Sequence, residues 1–286
     1  MTNCIEIKGL SKSYGDFALK NINLTLPGGS ILGLIGENGA GKTTTIKCIL
    51  NLIRRDAGEI SLLGYDNVRE EQLAKQDIGL VLDECFFSDN LRPRDVGKVL
   101  APAYKSWDGD LFRSYLDKFG LPEKKLIKEF SRGMKMKLSL SAALAHRPKL
   151  LILDEATAGL DPVVRDEILD EFLGFIQDEE HAILMSSHIT SDLEKVADYI
   201  AYIHQGEVVL SDSKDNILDS YGRVACTAGQ LEAIDPHDIL HTRRGSFGCE
   251  ALVKDRTAFA RKYPMLLVER TTLEDIMLFV GKGEVK

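Results

Sequence analysis

The segment Gly36-Glu37-Asn38-Gly39-Ala40-Gly41-Lys42-Thr43 limits what this chain can fold into more than any other. It fits G-x-x-x-x-G-K-[ST], a loop that needs a strand before it and a helix after it. The glycines let the backbone curl until several N–H groups face one anion. The positive N-terminal end of the following helix adds to that field. Lys42 is suited to reach the β- and γ-phosphates of a nucleotide, and the Thr43 hydroxyl to ligate Mg²⁺. The setting agrees. Ile31-Leu32-Gly33-Leu34-Ile35 reads as a buried strand, and Thr44 to Ile53 as a helix with Ile46, Ile49, Leu50 and Ile53 on one face. Gly36, Glu37, Asn38, Gly39, Ala40, Gly41, Lys42, Thr43 and Thr44 are therefore the expected nucleotide contacts.

Composition narrows the partners. The 286 residues are 44% hydrophobic and 28% charged, ordinary for a soluble globular protein, and can hold one large domain plus something smaller. A net charge of −8 argues against a nucleic-acid partner, which calls for a basic surface. No apolar run approaches the roughly 18 residues of a membrane span. The stretch Met1 to Glu6 lacks the basic and apolar regions of a signal peptide. Cys4, Cys48, Cys85, Cys226 and Cys249 are scattered, with no C-x-x-C, so neither a disulfide framework nor a zinc site is expected. The expected setting is a reducing cytoplasm.

Along the chain, Cys4 to Lys8 and Ala18 to Leu26 alternate as strands. Strand and helix patterns then alternate, as in a mostly parallel sheet covered by helices. Residues 84–148 read as a helical insertion, helical throughout. Leu150 to Leu153 is short and wholly apolar, like a buried parallel strand. Asp161-Pro162 opens a helix, with Asp as N-cap and Pro at the first position. Ala182 to Met185 reads as a strand, and Ser191-Asp192-Leu193-Glu194 as a capping box. After about Ser220 come short strands (Arg223 to Ala228, Ile239 to Arg243, Phe247 to Val253) with a hairpin turn at Gly245-Ser246. A second capping box, Thr271-Thr272-Leu273-Glu274, precedes a final helix. The expected fold is thus α/β: a P-loop NTPase domain over residues 1–220, with N-terminal antiparallel strands and a helical subdomain, and a separate α+β accessory unit over 221–286.

The apolar strand at Leu150 ends in two carboxylates. Asp154 is placed to hold Mg²⁺, and Glu155 to polarise a water against the γ-phosphate. With these residues and their order, the chain resembles the nucleotide-binding subunit of an ATP-binding cassette (ABC) transporter from about Ile5 to Ser211. The resemblance implies a role for several further residues. Tyr14 would stack on adenine, with Phe17 as the alternative. Ala158-Gly159-Leu160-Asp161 matches the loop that crosses to a partner subunit. His188, after Ser186-Ser187, matches the switch histidine at the γ-phosphate.

Phe130-Ser131-Arg132-Gly133-Met134 stands where the family has Leu-Ser-Gly-Gly-Gln. Ser131 and Gly133 keep the hydroxyl and the helix start that meet the other subunit's nucleotide, while Arg132 and Met134 depart from the pattern. Asp83 stands where the family has glutamine, as a candidate Mg²⁺ and water contact, with Glu84 as its competitor. The resemblance implies ATP and Mg²⁺ as ligands, a second ATP-binding subunit and a transmembrane permease as partners, and a place on the cytoplasmic face of the membrane. The details lean toward bacterial exporter ATPases. Phe86, Phe87 and Leu91 then belong either to a permease-docking groove or to a core. A non-transport ABC ATPase and a low-turnover regulatory module are the competing functions.

Overall fold

A computed structural model describes residues 2–245, 248–282 and 284–285. The Ser246 half of the expected hairpin turn lies outside the described residues. The chain runs β1 (Asn3–Tyr14), β2 (Phe17–Pro27), β3 (Ser30–Ile35), α1 (Lys42–Ile49), β4 (Ala57–Leu62), β5 (Tyr65–Asp66), α2 (Glu71–Gln76), β6 (Ile78–Val81), α3 (Pro93–Leu100), α4 (Gly109–Lys118), α5 (Arg132–Leu144), β7 (Leu150–Asp154), α6 (Pro162–Phe175), β8 (Ala182–Ser186), α7 (Thr190–Val196), β9 (Tyr199–His204) and β10 (Glu207–Ser213). It continues through α8 (Lys214–Ser220), β11 (Gly222–Cys226), α9 (Ala228–Ala233), β12 (His241–Gly245), β13 (Gly248–Val253), α10 (Arg256–Lys262), β14 (Val268–Arg270), α11 (Leu273–Lys282) and β15 (Glu284–Val285).

The central sheet has six strands in the order β10-β9-β3-β8-β7-β6, parallel except for the edge strand β10. β3, β7 and β8 are buried along their whole length, which is why they read as unbroken apolar runs rather than as alternation. A second sheet, β2-β1-β4-β5, is antiparallel and covers α1. Leu19, Ile22, Leu24 and Leu26 of β2 face that core. A close approach fixes the geometry of this sheet at Gly58. Its φ is +94°, and a Cβ there would stand 2.5 Å from the Gly9 carbonyl oxygen and 2.6 Å from the Leu10 nitrogen, beside the register break between β1 and β4.

α1 ends earlier than its apolar periodicity suggests, because Asn51 takes a left-handed φ of +53°. That conformation suits asparagine and stops the helix; Ile53 lies beyond it and packs from the loop. Within residues 84–148 the helices are α3, α4, a short 3-10 turn and α5, joined by loops; residues 84–92 are not helical. Pro93 at the first turn of α3 sets that start. These helices share a core of Val96, Phe112, Leu116, Ile127, Phe130 and Leu138. Phe87 and Leu91 pack against it, whereas Phe86 is exposed.

Asp161 caps α6 as its sequence indicates, accepting hydrogen bonds from the backbone N–H groups of Val163 and Val164 at 3.1 and 3.0 Å. The capping box at Ser191 does not form, because α7 begins at Thr190. The Glu194 carboxylate instead accepts from the backbone N–H of Leu273 at 2.8 Å. The second box shifts by one residue: Thr272 Oγ1 accepts from the Asp275 N–H, and the Thr272 N–H donates to the Asp275 carboxylate.

The third sheet runs β14-β11-β13-β12-β15, all antiparallel. Val224, Leu231, Ile239 and Phe259 form its own small core. α11 lies against this sheet, with Arg243 of β12 over the Phe279 ring, and also against the central one. Leu273, Ile276 and Phe279 are buried in the cluster that contains Ile35, Met185 and Tyr202 of the central sheet. The Tyr202 hydroxyl donates to the Met277 carbonyl at 3.3 Å.

Two stability measurements follow from this packing. Gly58→Ala forces a side chain into backbone and should cost about 2 kcal/mol or more, read as a lower urea midpoint with an unchanged slope. Burial, reinforced by the Glu37 carboxylate, pushes the Tyr202 phenol up to about 12. A group raised in the folded state lends stability that is present below its ordinary value of roughly 10 and lost as pH rises through 12. Wild-type stability should therefore fall between those pH values, and Tyr202→Phe should fall less steeply.

Candidate active site

The loop after β3 turns away from the sheet where Gly36 lies against the Ile203 carbonyl, so close that any Cβ would collide with it. Gly41, at φ +118°, packs its α-carbon against Leu19 and Phe17; a Cβ would stand 2.6 Å from Leu19 Cδ2. Ala40 is buried, and its carbonyl accepts from the Gly206 N–H at 3.0 Å. Thr45 Oγ1 donates to the Gly41 carbonyl at 2.9 Å and seals the first turn of α1. No side chain caps that helix, so its leading N–H groups stay open. Glu37, Asn38 and Gly39 form the exposed rim. Thr43 is exposed and Thr44 half-buried, beside the start of the helix.

Lys42 folds back into the loop. Its ammonium, 6% exposed, donates to the carbonyls of Gly36 at 2.7 Å and Glu37 at 3.3 Å, and lies 3.4 Å from Glu155 Oε1. The other Glu155 oxygen, Oε2, is 2.6 Å from His188 Nδ1 and accepts from the His188 N–H at 3.4 Å. One carboxylate thus bridges a lysine from α1 and a histidine beyond β8. Glu155 holds a left-handed φ of +53°, unusual for a residue other than glycine. Ser186 secures it: the Glu155 N–H donates to the Ser186 carbonyl at 3.2 Å and to its hydroxyl at 3.1 Å.

The same Ser186 hydroxyl donates to Asp154 Oδ1 at 2.5 Å, and Asp154 is 3% exposed. Ser186 is the functional residue that motif reading passes over, although it sits two positions before His188. The signal is positional, since β7 and β8 pair Asp154 directly with Ser186. Among the described residues no cluster of three or more His, Cys, Asp or Glu is placed to hold a metal by itself. The donor set of one buried carboxylate and one exposed threonine hydroxyl fits Mg²⁺, which takes most of its remaining ligands from phosphate and water.

The other sequence candidates are arranged around this centre. β6 lies beside β7, with Val81 opposite Leu153, so the chain leaves the sheet next to Asp154. Asp83 follows, exposed and without a hydrogen bond or ion pair among the described residues. With Glu84, Phe130 and Arg132 it lines a cavity of about 580 Å³. Ser131 is the N-cap of α5, its Oγ accepting from the Met134 N–H at 3.3 Å. Gly133 packs on Val164 of α6. The Arg132 guanidinium lies against Gly159, where a Cβ would stand 3.2 Å from Cζ. Tyr14 ends β1, 46% exposed, with the Lys12 ammonium 5.1 Å from its ring centre. Phe17 instead supports Gly41 from below.

The three-layered α/β core, the glycine loop on Lys42 and the Asp154-Glu155 strand end define a P-loop ATPase. Comparison with known proteins narrows the class. A family model described as ABC transporter matches residues 19–158. The lantibiotic transport ATP-binding protein SrtF of Streptococcus pyogenes is 36% identical over 214 residues, 74% of this chain and 91% of that protein. The bacitracin transport ATP-binding protein BcrA of Bacillus licheniformis is 34% identical over 212 residues, 73% of this chain and 69% of that protein. A solved structure described as the ATP binding subunit of an ABC transporter superposes with a TM-score of 0.69 at 28% identity, covering 75% of this chain and 91% of that one. The chain belongs to the ATP-binding subunits of ABC transporters: it binds ATP and couples its hydrolysis to transport. Among the described residues no helix is long and apolar enough to cross a membrane.

Ser186→Ala tests the arrangement. It orphans a buried carboxylate oxygen and loosens the Glu155 backbone, so stability should drop by about 1–3 kcal/mol. Turnover should fall while nucleotide binding is retained, as read by steady-state ATPase assay and equilibrium titration on one preparation.

Proposed function

We propose that Glu155 is the group that orients the attacking water and takes its proton, in a site completed by a second copy or a related subunit. The observation that carries this reading is the Glu155 carboxylate held between Lys42 and His188 beside buried Asp154. Lys42 supplies the ammonium for the β- and γ-phosphates, with the backbone of Gly36 to Thr43 and Thr44 around them. His188 fixes one carboxylate oxygen of Glu155 and reports on the γ-phosphate. Thr43 and Asp154, with Asp83 at the edge, would hold Mg²⁺, which when bound neutralises charge on the phosphates. Tyr14, the more open of the two aromatics, offers its ring to the adenine.

Ser131 and Asp161 cap the starts of α5 and α6, and Gly133 packs on Val164, all three apart in sequence from the glycine loop. That supports a dimer in which they complete the partner's site, so that ATP holds the closed pair together. The surface around Asp83 and Phe86 is the proposed seat of a transmembrane permease, which would keep the chain at the cytoplasmic face of the membrane. Relatives named for lantibiotic and bacitracin transport support export of peptide antibiotics as the task. Residues 1–220 form the catalytic domain in this reading, and 221–286 an accessory one.

Glu155→Gln should lower kcat by about 100-fold or more while ATP stays bound, because general-base effects are of that size. Wild-type turnover in that variant would reassign the base. Asp83→Ala should reduce Mg²⁺-dependent hydrolysis about tenfold and leave ATP affinity nearly unchanged. Hydrolysis at the wild-type rate would move the role to Glu84 or to water.

A further inference from the structure

α11 contacts the helix that follows His188 at one end and the rim of the glycine loop at the other. At its start, the Leu273 N–H is held by the Glu194 carboxylate of α7, the helix that follows His188. At its end, Gly281 lies against the Glu37 carboxylate on the rim of the glycine loop, where a Cβ would run into Oε1. Between these points Leu273, Ile276 and Phe279 are buried beside Ile35, the last residue before the loop, and Tyr202 donates to the Met277 carbonyl. A ten-residue helix spans about 15 Å.

The contact at Gly281 is steric rather than attractive. A carboxylate there meets the carbonyl end of a helix, where the macrodipole is negative. The apolar seating of α11 holds the two together, and a side chain at position 281 would push the exposed Glu37 carboxylate out of its place on the helix. The raised Tyr202 phenol, next to both Glu37 and α11, agrees with that closeness.

We propose that α11 is a strut that sets the position of the P-loop, with Gly281 acting as a positioning residue through Glu37 and Glu194 tying the same helix to the His188 segment. This inference rests on the reading of the loop as the ATP site. Through this strut the C-terminal unit senses the occupancy of the loop and restrains its movement.

Kinetics on the full-length protein test it. Gly281→Ala should raise KM for ATP about fivefold or more, the scale of ordinary site-to-site coupling, with kcat within about twofold. In a Glu37→Ala background, which removes the atoms that the new methyl would meet, the same substitution should change nothing further. Gly229→Ala, in the exposed α9 with open space around it, should behave as wild type. An unchanged KM in Gly281→Ala, or an equal rise in the Glu37→Ala background, overturns the strut. Wild-type ATPase activity in the same assay keeps its failure separate from failure of the site reading, since an inactive wild type would sink the latter. Hydrogen exchange on the wild-type chain needs no variant to fold. Adding a non-hydrolysable ATP analogue should slow exchange in the last turn of α11, and no change there overturns the proposal as well.

Discussion

The site is organised around one buried ammonium. Lys42 sits at 6% exposure, and an isolated charge at that depth is costly unless partners surround it. Three oxygens do so: the carbonyls of Gly36 and Glu37, and a carboxylate oxygen of Glu155. The first two require a loop tight enough to turn its carbonyls inward, which the glycines allow. The third requires that β7 end close to α1. Strand order meets that need, since β3 and β7 flank β8, whose own end supplies Ser186 and His188. Three chain segments distant in sequence are thereby committed to one geometry. The left-handed φ of Glu155 is part of the same arrangement, held by two hydrogen bonds to Ser186.

What the sequence made legible is what local chemistry decides. The glycine loop, the fully apolar strands at Ile31, Leu150 and Ala182, and the Asp161-Pro162 helix start depend on residues within a few positions of one another, and all appear where expected. The misses have distant causes. Glu194 belongs to a good local capping box, yet its carboxylate goes to Leu273, 79 positions on. The helix at Thr44 stops short because Asn51 turns left-handed, although apolar spacing continues to Ile53. Ser186 carries no signature of its own; only the pairing of β7 with β8 places it under Asp154 and Glu155.

Position also gives meaning to two of the three departures from the family pattern. Arg132 and Asp83 are far apart in sequence, yet both line one cavity between the end of β6 and the start of α5. The acidic substitution and the basic one therefore share a solvent-filled space. Arg132 lies on Gly159, so the segment that caps α5 and the segment that precedes α6 are in contact within one subunit.

α11 connects the C-terminal sheet to the central one. A helix whose apolar face is Leu273, Ile276 and Phe279 could have closed the small core around Val224 and Phe259; it packs instead in the cluster that holds Ile35 and Tyr202. Leu252 of β13 lies in the same cluster, so the burial of α11 ties the sheet it follows in the chain to the ATPase core. Because Ile35 is the last strand residue before Gly36, any shift of α11 is felt first at the root of the loop and then at its rim through Glu37. Accessory and catalytic parts are separate as sheets and continuous as a packed core, and in a close-packed interior it is that continuity that transmits displacement.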